Sequence, residues 1–229
     1  MFSPLLVPVM ILVWLQDFHS PFYVAQRVAK DGGSFWMVKL RSMVVNADKS
    51  GVDSTSLNDA RITSIGQFIR KFKLDELTQL WNVLKGDMSL VGPRPNVKRE
   101  TDLYTTAEKE LLSVKPGITD FSSIVFSDEG DILKDSKDPD IDYNQLIRPW
   151  KSRLSLLYIK HQSLWLYFSL IFLTAVAIVS RKKALKGVHK LLVMIHAPED
   201  VVCVAKREDK LVPSPPPGSN SIVMVRTNS

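Results

Sequence analysis

The chain has 229 residues, of which 45% are hydrophobic and 24% charged, and a formal net charge of +6. That is enough for one ordinary domain with a real core plus appendages, and it excludes global disorder. The positive balance favours anionic partners as a class, from lipid head groups to phosphorylated substrates, and a single cysteine, Cys203, excludes an intrachain disulfide.

Residues 2–15, FSPLLVPVMILVWL, are apolar except for Ser3. The run is shorter than the ~20 residues of a spanning helix. It also lacks the basic start and small-residue cleavage site of a secretory signal. Pro4 and Pro8 oppose a long straight helix, so a re-entrant or interfacial segment over residues 1–21 is expected, with a buried core helix as the alternative. In residues 22–45, Asp31-Gly32-Gly33 separates two β-prone runs and predicts a hairpin. Residues 46–60 are polar and loop-like. Ser64 and Gln67 have capping-box spacing, and Ile65, Phe68, Ile69 and Phe72 then give one apolar helical face. Asp75 stands at the N-cap position of a second helix carrying Leu77, Leu80, Trp81 and Leu84, and Gly86 ends it. A Gly/Pro-rich loop, DMSLVGPRPN, follows.

Residues 106–113 predict a third short helix with a Thr cap, and Lys115-Pro116-Gly117 a turn. Residues 127–142 are acidic and loop-like, and DPDID lacks the spacing of a calcium loop. Residues 163–179, SLWLYFSLIFLTAVAIV, are apolar with Lys and Arg on both flanks. This suits a helix lying on an anionic membrane surface, although a spanning helix stays open. Residues 184–229 are expected to be a basic, Pro-rich tail, flexible or extended over PSPPPGSNS. The expected fold class is α+β, a small and mostly helical domain with a short β-hairpin.

The densest polar cluster runs from Arg61 to Arg94. Asp75-Glu76 at a helix start lies where free N–H groups and the helix dipole favour negative charge. A carboxylate there is expected to keep a low pKa, so it could act as a nucleophile towards phosphorus, while its neighbour holds a divalent metal. Nearby arginines can clamp phosphoryl oxygens. Taken alone, the pair is also ordinary helix capping, and the cations fit a solvated or lipid-facing surface.

The whole string is far more specific. Residues 75–95, DELTQLWNVLKGDMSLVGPRP, resemble the signature of the bacterial sugar transferases known as monotopic phosphoglycosyl transferases, or polyprenyl-phosphate sugar-phosphate transferases. QRVAKDGGSFWMVKLRSM (26–43), RITSIGQFIRKFKL (61–74) and KPGITDFSSI (115–124) resemble further family segments in the same order. Tyr143, Pro149 and Lys151 match a pattern of one branch. The resemblance covers roughly residues 3–180.

The resemblance implies transfer of a sugar 1-phosphate from a UDP-sugar to polyprenyl phosphate, through a covalent adduct on Asp75, with release of UMP. It implies a magnesium site at Asp75 and Glu76, and phosphate or nucleotide contacts from Arg94, Lys39, Arg41 and Arg70. Asp87 is expected to brace its loop. It further implies the cytoplasmic face of a bacterial inner membrane, lipid partners and no nucleic acid, and it leaves a homo-oligomer open. The domain division it suggests is a membrane segment at 1–21, a catalytic domain at 22–183 and a tail at 184–229. Three departures stand out. The chain begins almost at the Ser-Pro break, which suggests a truncated start or reduced anchoring; Ala29 and Leu40 replace a usual Gly and Phe; Thr78 replaces a common Pro. A catalytically idle subunit of the same fold and a nucleotide-sugar hydrolase are the alternatives.

Overall fold

The computed structural model describes residues 3–50, 54–56 and 58–224, so part of the polar loop expected at 46–60 lies outside the described residues. The first helix, α1 (Ser3–Leu15), runs through Pro8 without dividing. At ~1.5 Å per residue it is about 20 Å long. Val9 and Val13 are buried, whereas Val7, Ile11, Leu12, Trp14 and Leu15 are exposed. Strands β1 (Phe22–Val28) and β2 (Ser34–Leu40) form the expected hairpin, paired from Phe22↔Leu40 to Val28↔Ser34. Asp31 and Gly32 turn the chain at φ +58° and +78°, a conformation that Asp and Gly tolerate best.

Helices α2 (Ser64–Lys71), α3 (Leu74–Leu77) and α4 (Leu80–Lys85) follow. Ile69 and Leu74 pack with Leu40 and with Val9 and Val13 of α1, which docks these helices on the hairpin. The outer edge of β2 is closed by side chains rather than by a third strand. Asn82 Oδ1 accepts from Val38 N at 3.0 Å, Asn82 Nδ2 donates to Trp36 O at 2.7 Å, and Thr78 Oγ1 donates to Val38 O at 3.1 Å. Asn82 is fully buried, and its Nδ2 also donates to Asp87. Asp87 therefore braces its loop, as expected.

Beyond this clamp, β3 (Ser89–Val91) leads through the short helix α5 (Lys98–Thr101) to β4 (Gly117–Thr119), which pairs with β3 in parallel. The two loops meet at Gly92 and Gly117, where a Cβ on Gly117 would stand 2.1 Å from Gly92 N. Only glycine fits that approach. The remaining helices are α6 (Phe121–Val125), α7 (Glu129–Ile132), α8 (Pro139–Asp142), α9 (Arg148–Lys160), α10 (Leu164–Val179), α11 (Arg181–Met194) and α12 (Glu199–Lys206). Their apolar faces make the main core, in which Phe121, Leu154, Leu170 and Leu192 are fully buried. Each such side chain stabilises the fold by roughly 1.5–3 kcal/mol. Two polar networks sit in this region. Asp120 caps α6 through Ser123 N and accepts from Ser122 and Ser155. Glu108 accepts from Arg148, Ser152 and Thr105 N.

The fold is α+β and about 53% helical, as expected, but several local expectations change. The cap of α2 is Thr63, not Ser64. Asp75 is inside α3 rather than at its N-cap, because Lys73 takes a left-handed conformation and ends the preceding turn. Phe68, Phe72, Trp81 and Leu84 are exposed, so periodicity placed them on a face that the domain does not cover. The segment expected as a helix at 106–113 is a 3-10 turn over Glu108–Ser113, capped by Thr105. The tail expected from residue 184 is not separate. Ala184, Leu185, Val188, Leu191, Leu192, Val201 and Ala205 belong to the main core. The Pro-rich stretch is extended but tied down, with Ser214 N bonded to Gln145 O and Pro215 O accepting from Arg153. Among the described residues no helix is long and apolar enough to cross a membrane.

The clamp yields a stability prediction. Asn82→Ala takes the partners from Val38 N–H and Trp36 C=O and should cost about 3 kcal/mol, or a Tm lower by about 6–12 °C. Asp87→Asn should shift the Tm by no more than about 4 °C. Thermal unfolding of the two purified variants in one detergent checks the difference; equal shifts would remove Asn82 from its central place.

Candidate active site

Hairpin, α3 and the Gly92 loop surround a cavity of about 1210 Å³ whose lining includes Lys39, Arg70, Asp75, Glu76, Arg94 and, on the far wall, Glu129, Tyr143 and Lys151. Each element delivers its side chain for a local reason. The β1–β2 alternation puts Tyr23, opposite Lys39, on one face with Arg27. Thr78 and Asn82 hold Val38, and so set Lys39 next to α3. Packing of Leu74 among Val9, Val13 and Ile69 sets the rotation of α3 and turns Asp75 and Glu76 to the cavity.

The two carboxylates differ in environment. Arg94 Nη1 donates to Glu76 Oε1 at 3.1 Å. Burial pushes the Glu76 pKa up, but Lys73, Arg94 and Lys39 outweigh it, and the carboxyl lies below its ordinary value. The Asp75 carboxylate has no hydrogen-bond or ion-pair partner among the described residues. Burial raises its pKa, and Lys39, Arg94 and Arg70 oppose that only in part. The low pKa expected from a helix dipole is thus overturned. A four-residue helix has a small dipole, and desolvation wins. Lys39 is likewise unpartnered among the described residues, and burial, with Arg94 nearby, lowers its pKa to about 8.

Arg70 is half-buried and bonded through Nε to Ser42 Oγ at 3.2 Å, which leaves its terminal nitrogens for the cavity, where Asp75 attracts its charge. Arg41 also lines the cavity, but its guanidinium is tied to the chain after α1. Its guanidinium grips both oxygens of Asp17 at 2.5 and 2.6 Å and donates to Ser20 O. The ion pair holds the Asp17 carboxyl down at about 2. Arg41 therefore anchors the chain after α1 to the hairpin.

Several residues were given no role from sequence. Glu129 is ion-paired with Lys151, whose ammonium lies over the Tyr143 ring at 5.3 Å. Burial raises the Glu129 pKa, but Lys151 and Arg94 bring it below its ordinary value. Arg27, its pKa lowered by burial, faces the charges of Glu100 and Arg94. Strand alternation from Lys39 back across the hairpin would have found Arg27. Nothing local would have found Glu129.

Among the described residues no group of three or more His, Cys, Asp or Glu forms a metal cage. Magnesium needs none, because one or two carboxylates and substrate phosphate oxygens suffice. The unpartnered Asp75 carboxylate and the second oxygen of Glu76 fit such a shared ion. The cavity can thus bind phosphates through Lys39, Arg70 and Arg94 and present a carboxylate to them.

The family model for bacterial sugar transferases matches residues 1–181. The UDP-galactose-lipid carrier transferase of Erwinia amylovora is 34% identical over 197 residues, 79% of this chain and 38% of that protein. The undecaprenyl-phosphate galactose phosphotransferase of Salmonella typhimurium is 35% identical over 195 residues, 77% of this chain and 38% of that protein. The UDP-glucose:undecaprenyl-phosphate glucose-1-phosphate transferase of Xanthomonas campestris pv. campestris is 34% identical over 186 residues, 79% of this chain and 36% of that protein. The chain therefore belongs to the bacterial sugar transferase family and spans less than two fifths of the length of these curated relatives.

The unpartnered Lys39 yields a stability prediction with a defined sign. Folded Lys39 loses its proton near pH 8 and an unfolded lysine near 10.5, so its charge destabilises the fold below pH 8 and this cost fades as pH rises to 10.5. Lys39→Met should raise the Tm by several degrees at pH 7, and the gain should shrink between pH 8 and 10.5. Thermal unfolding across that range checks it; a gain that does not change with pH would point to packing alone.

Proposed function

We propose that this member of the bacterial sugar transferase family transfers a sugar 1-phosphate from a UDP-sugar to undecaprenyl phosphate at the cytoplasmic face of a bacterial inner membrane, as the opening step of exopolysaccharide or related glycan assembly. The observation that carries the reading is an unpartnered Asp75 carboxylate beside an unpartnered Lys39 ammonium, with Arg70 and Arg94 in the same cavity. Both charges line the cavity half-buried and without partners among the described residues, an arrangement that a bound diphosphate would satisfy.

The chemistry follows from these groups. Lys39, Arg70 and Arg94 orient the diphosphate and spread its charge. An Asp75 carboxylate oxygen attacks the sugar-linked phosphorus, the bond to the bridging oxygen breaks, and UMP leaves with the electron pair. An oxygen of the polyprenyl phosphate then attacks the same phosphorus, and the Asp75 carboxylate departs. Asp75 and Glu76 would hold a magnesium ion with the substrate phosphates, and the ion would supply charge neutralisation on the leaving group. Glu76, fixed by Arg94, keeps α3 and the Gly92 loop at one separation. Burial raises the Asp75 pKa, and the charges of Lys39, Arg94 and Arg70 lower it and so favour the ionised nucleophile.

Membrane placement rests on exposed apolar residues of α1, Ile11, Leu12 and Trp14, and of α10, Trp165, Phe168 and Phe172. These exposed apolar faces support an interfacial or re-entrant arrangement on one leaflet.

Asp75→Asn should lower turnover by at least about 10³-fold, scored as UMP release and labelled glycolipid from a panel of UDP-sugars. With acceptor withheld, the parent chain should retain radiolabelled sugar phosphate and the variant none. Near-native glycolipid synthesis by the variant would sink the reading, and free sugar phosphate as the main product would indicate a hydrolase instead. Chelation should abolish turnover and magnesium restore it; full activity in excess chelator would remove the metal from the scheme.

A further inference from the structure

All of helix α11 but its first residue lies beyond the residues that the family model matches, yet it is part of the main core. Its inward face is apolar and buried: Ala184, Leu185, Val188, Leu191 and Leu192. Its outward face carries Lys182, Lys183, Lys186 and Lys190, all exposed and none with a partner among the described residues. Spacing of three or four residues puts these lysines in one strip. Arg181, just before them, is different. It is held by Asp128 at 2.8 Å and by Val125 O at 3.0 Å.

The strip has an apolar neighbour. Leu173 and Gly187 lie equally far from Ser180 on either side, and a Cβ on Gly187 would stand 2.3 Å from Leu173 Cδ2. The two helices therefore run antiparallel in close contact. Opposite its buried Leu166, Leu170 and Leu173, α10 exposes Trp165, Phe168, Phe172 and Val179, the last at 88%. An exposed apolar row beside an unpaired lysine row has the complementarity of a bilayer surface, acyl chains for one and head groups for the other. A nucleic acid would match the lysines but not the apolar row. Ala177, Ile178 and Arg181, at the junction of the helices, line the large cavity, so this surface begins at its edge.

We infer that the outward face of α11 binds the head groups of anionic phospholipids and, with the apolar row of α10, seats the cavity edge against the bilayer. The inference rests on the membrane placement proposed above and adds the chemistry of the lipid. Four unpaired lysines near a charged surface favour anionic over neutral membranes by about 10²–10³-fold, and salt screens this.

Vesicle co-sedimentation of the full chain tests it, using phosphatidylcholine with and without phosphatidylglycerol. The parent should prefer the anionic vesicles, and the preference should collapse at high salt. K182Q/K183Q/K186Q/K190Q should bind anionic vesicles about 10²–10³-fold more weakly, while the Lys→Arg quadruple variant should match the parent. K109Q/K115Q/K134Q/K137Q, with the same loss of charge elsewhere, should also match it; unchanged thermal unfolding certifies the folds. Equal binding of the parent to both vesicle types would overturn the inference. So would equal losses in the two Lys→Gln variants, or lysine-dependent binding to a DNA duplex without a vesicle preference. No nucleotide sugar is present, so the outcome stands apart from the transfer assay. A transfer-active chain that ignores head-group charge overturns this inference alone.

Discussion

The outer edge of β2 is the constraint on which the rest of the cavity depends. A two-stranded hairpin is marginal by itself and free to twist. Here Asn82 and Thr78 occupy the hydrogen-bonding positions of a missing third strand. The same residues belong to α4 and to the turn after α3, so one set of bonds fixes both the strand that carries Lys39 and the helix that carries Asp75 and Glu76. The distance between ammonium and carboxylate is thereby a property of backbone geometry, not of two flexible side chains finding each other. Burial of Asn82 keeps water from competing for these bonds.

Polar groups in the domain fall into two kinds. Glu108 and Asp120 are fully buried and each accepts several hydrogen bonds. Such saturated networks join elements and hold one packing arrangement. Asp75 and Lys39 are the reverse, half-buried and left without hydrogen bonds among the described residues. The fold tolerates their cost because the saturated networks and the helical core stabilise the frame around them. That contrast in saturation, more than the number of charges, marks where a ligand belongs.

Legibility in the sequence followed the range of the interaction involved. The hairpin was legible because Asp31-Gly32 is a local turn signal, and the end of α4 because Gly86 is a local cap. The anchoring bond of Arg41 was not legible because its partner, Asp17, lies 24 residues earlier and only the fold brings them together. Strands β3 and β4 were not legible because three residues show no alternation. Trp81 and Leu84 show the limit of periodicity, which finds an apolar face but not what covers it. The segment after residue 184 was more legible than its basic composition suggested. Leu185, Val188 and Leu192 recur at helical spacing, but the intervening lysines obscured the pattern. The raised pKa of Asp75 depends on burial, which sequence position near a helix start cannot report.

The extended stretch after α12 is tied to three earlier places: Thr105 donates to Pro217 O, Arg153 to Pro215 O, and Gln145 to Val223 O. Two of these anchors, Gln145 and Arg153, lie on the helical stretch over residues 143–160 that carries Tyr143 and Lys151, the far wall of the cavity. During synthesis, then, the hairpin and α3 emerge long before the strap that steadies the opposite wall. The wall that carries Lys39 and Asp75 can therefore be set by its own bonds while the opposite wall, with Tyr143 and Lys151, still lacks its strap. Such long-range closure slows folding. It also makes the complete cavity a late product of folding, closed only when the strap has reached its far wall.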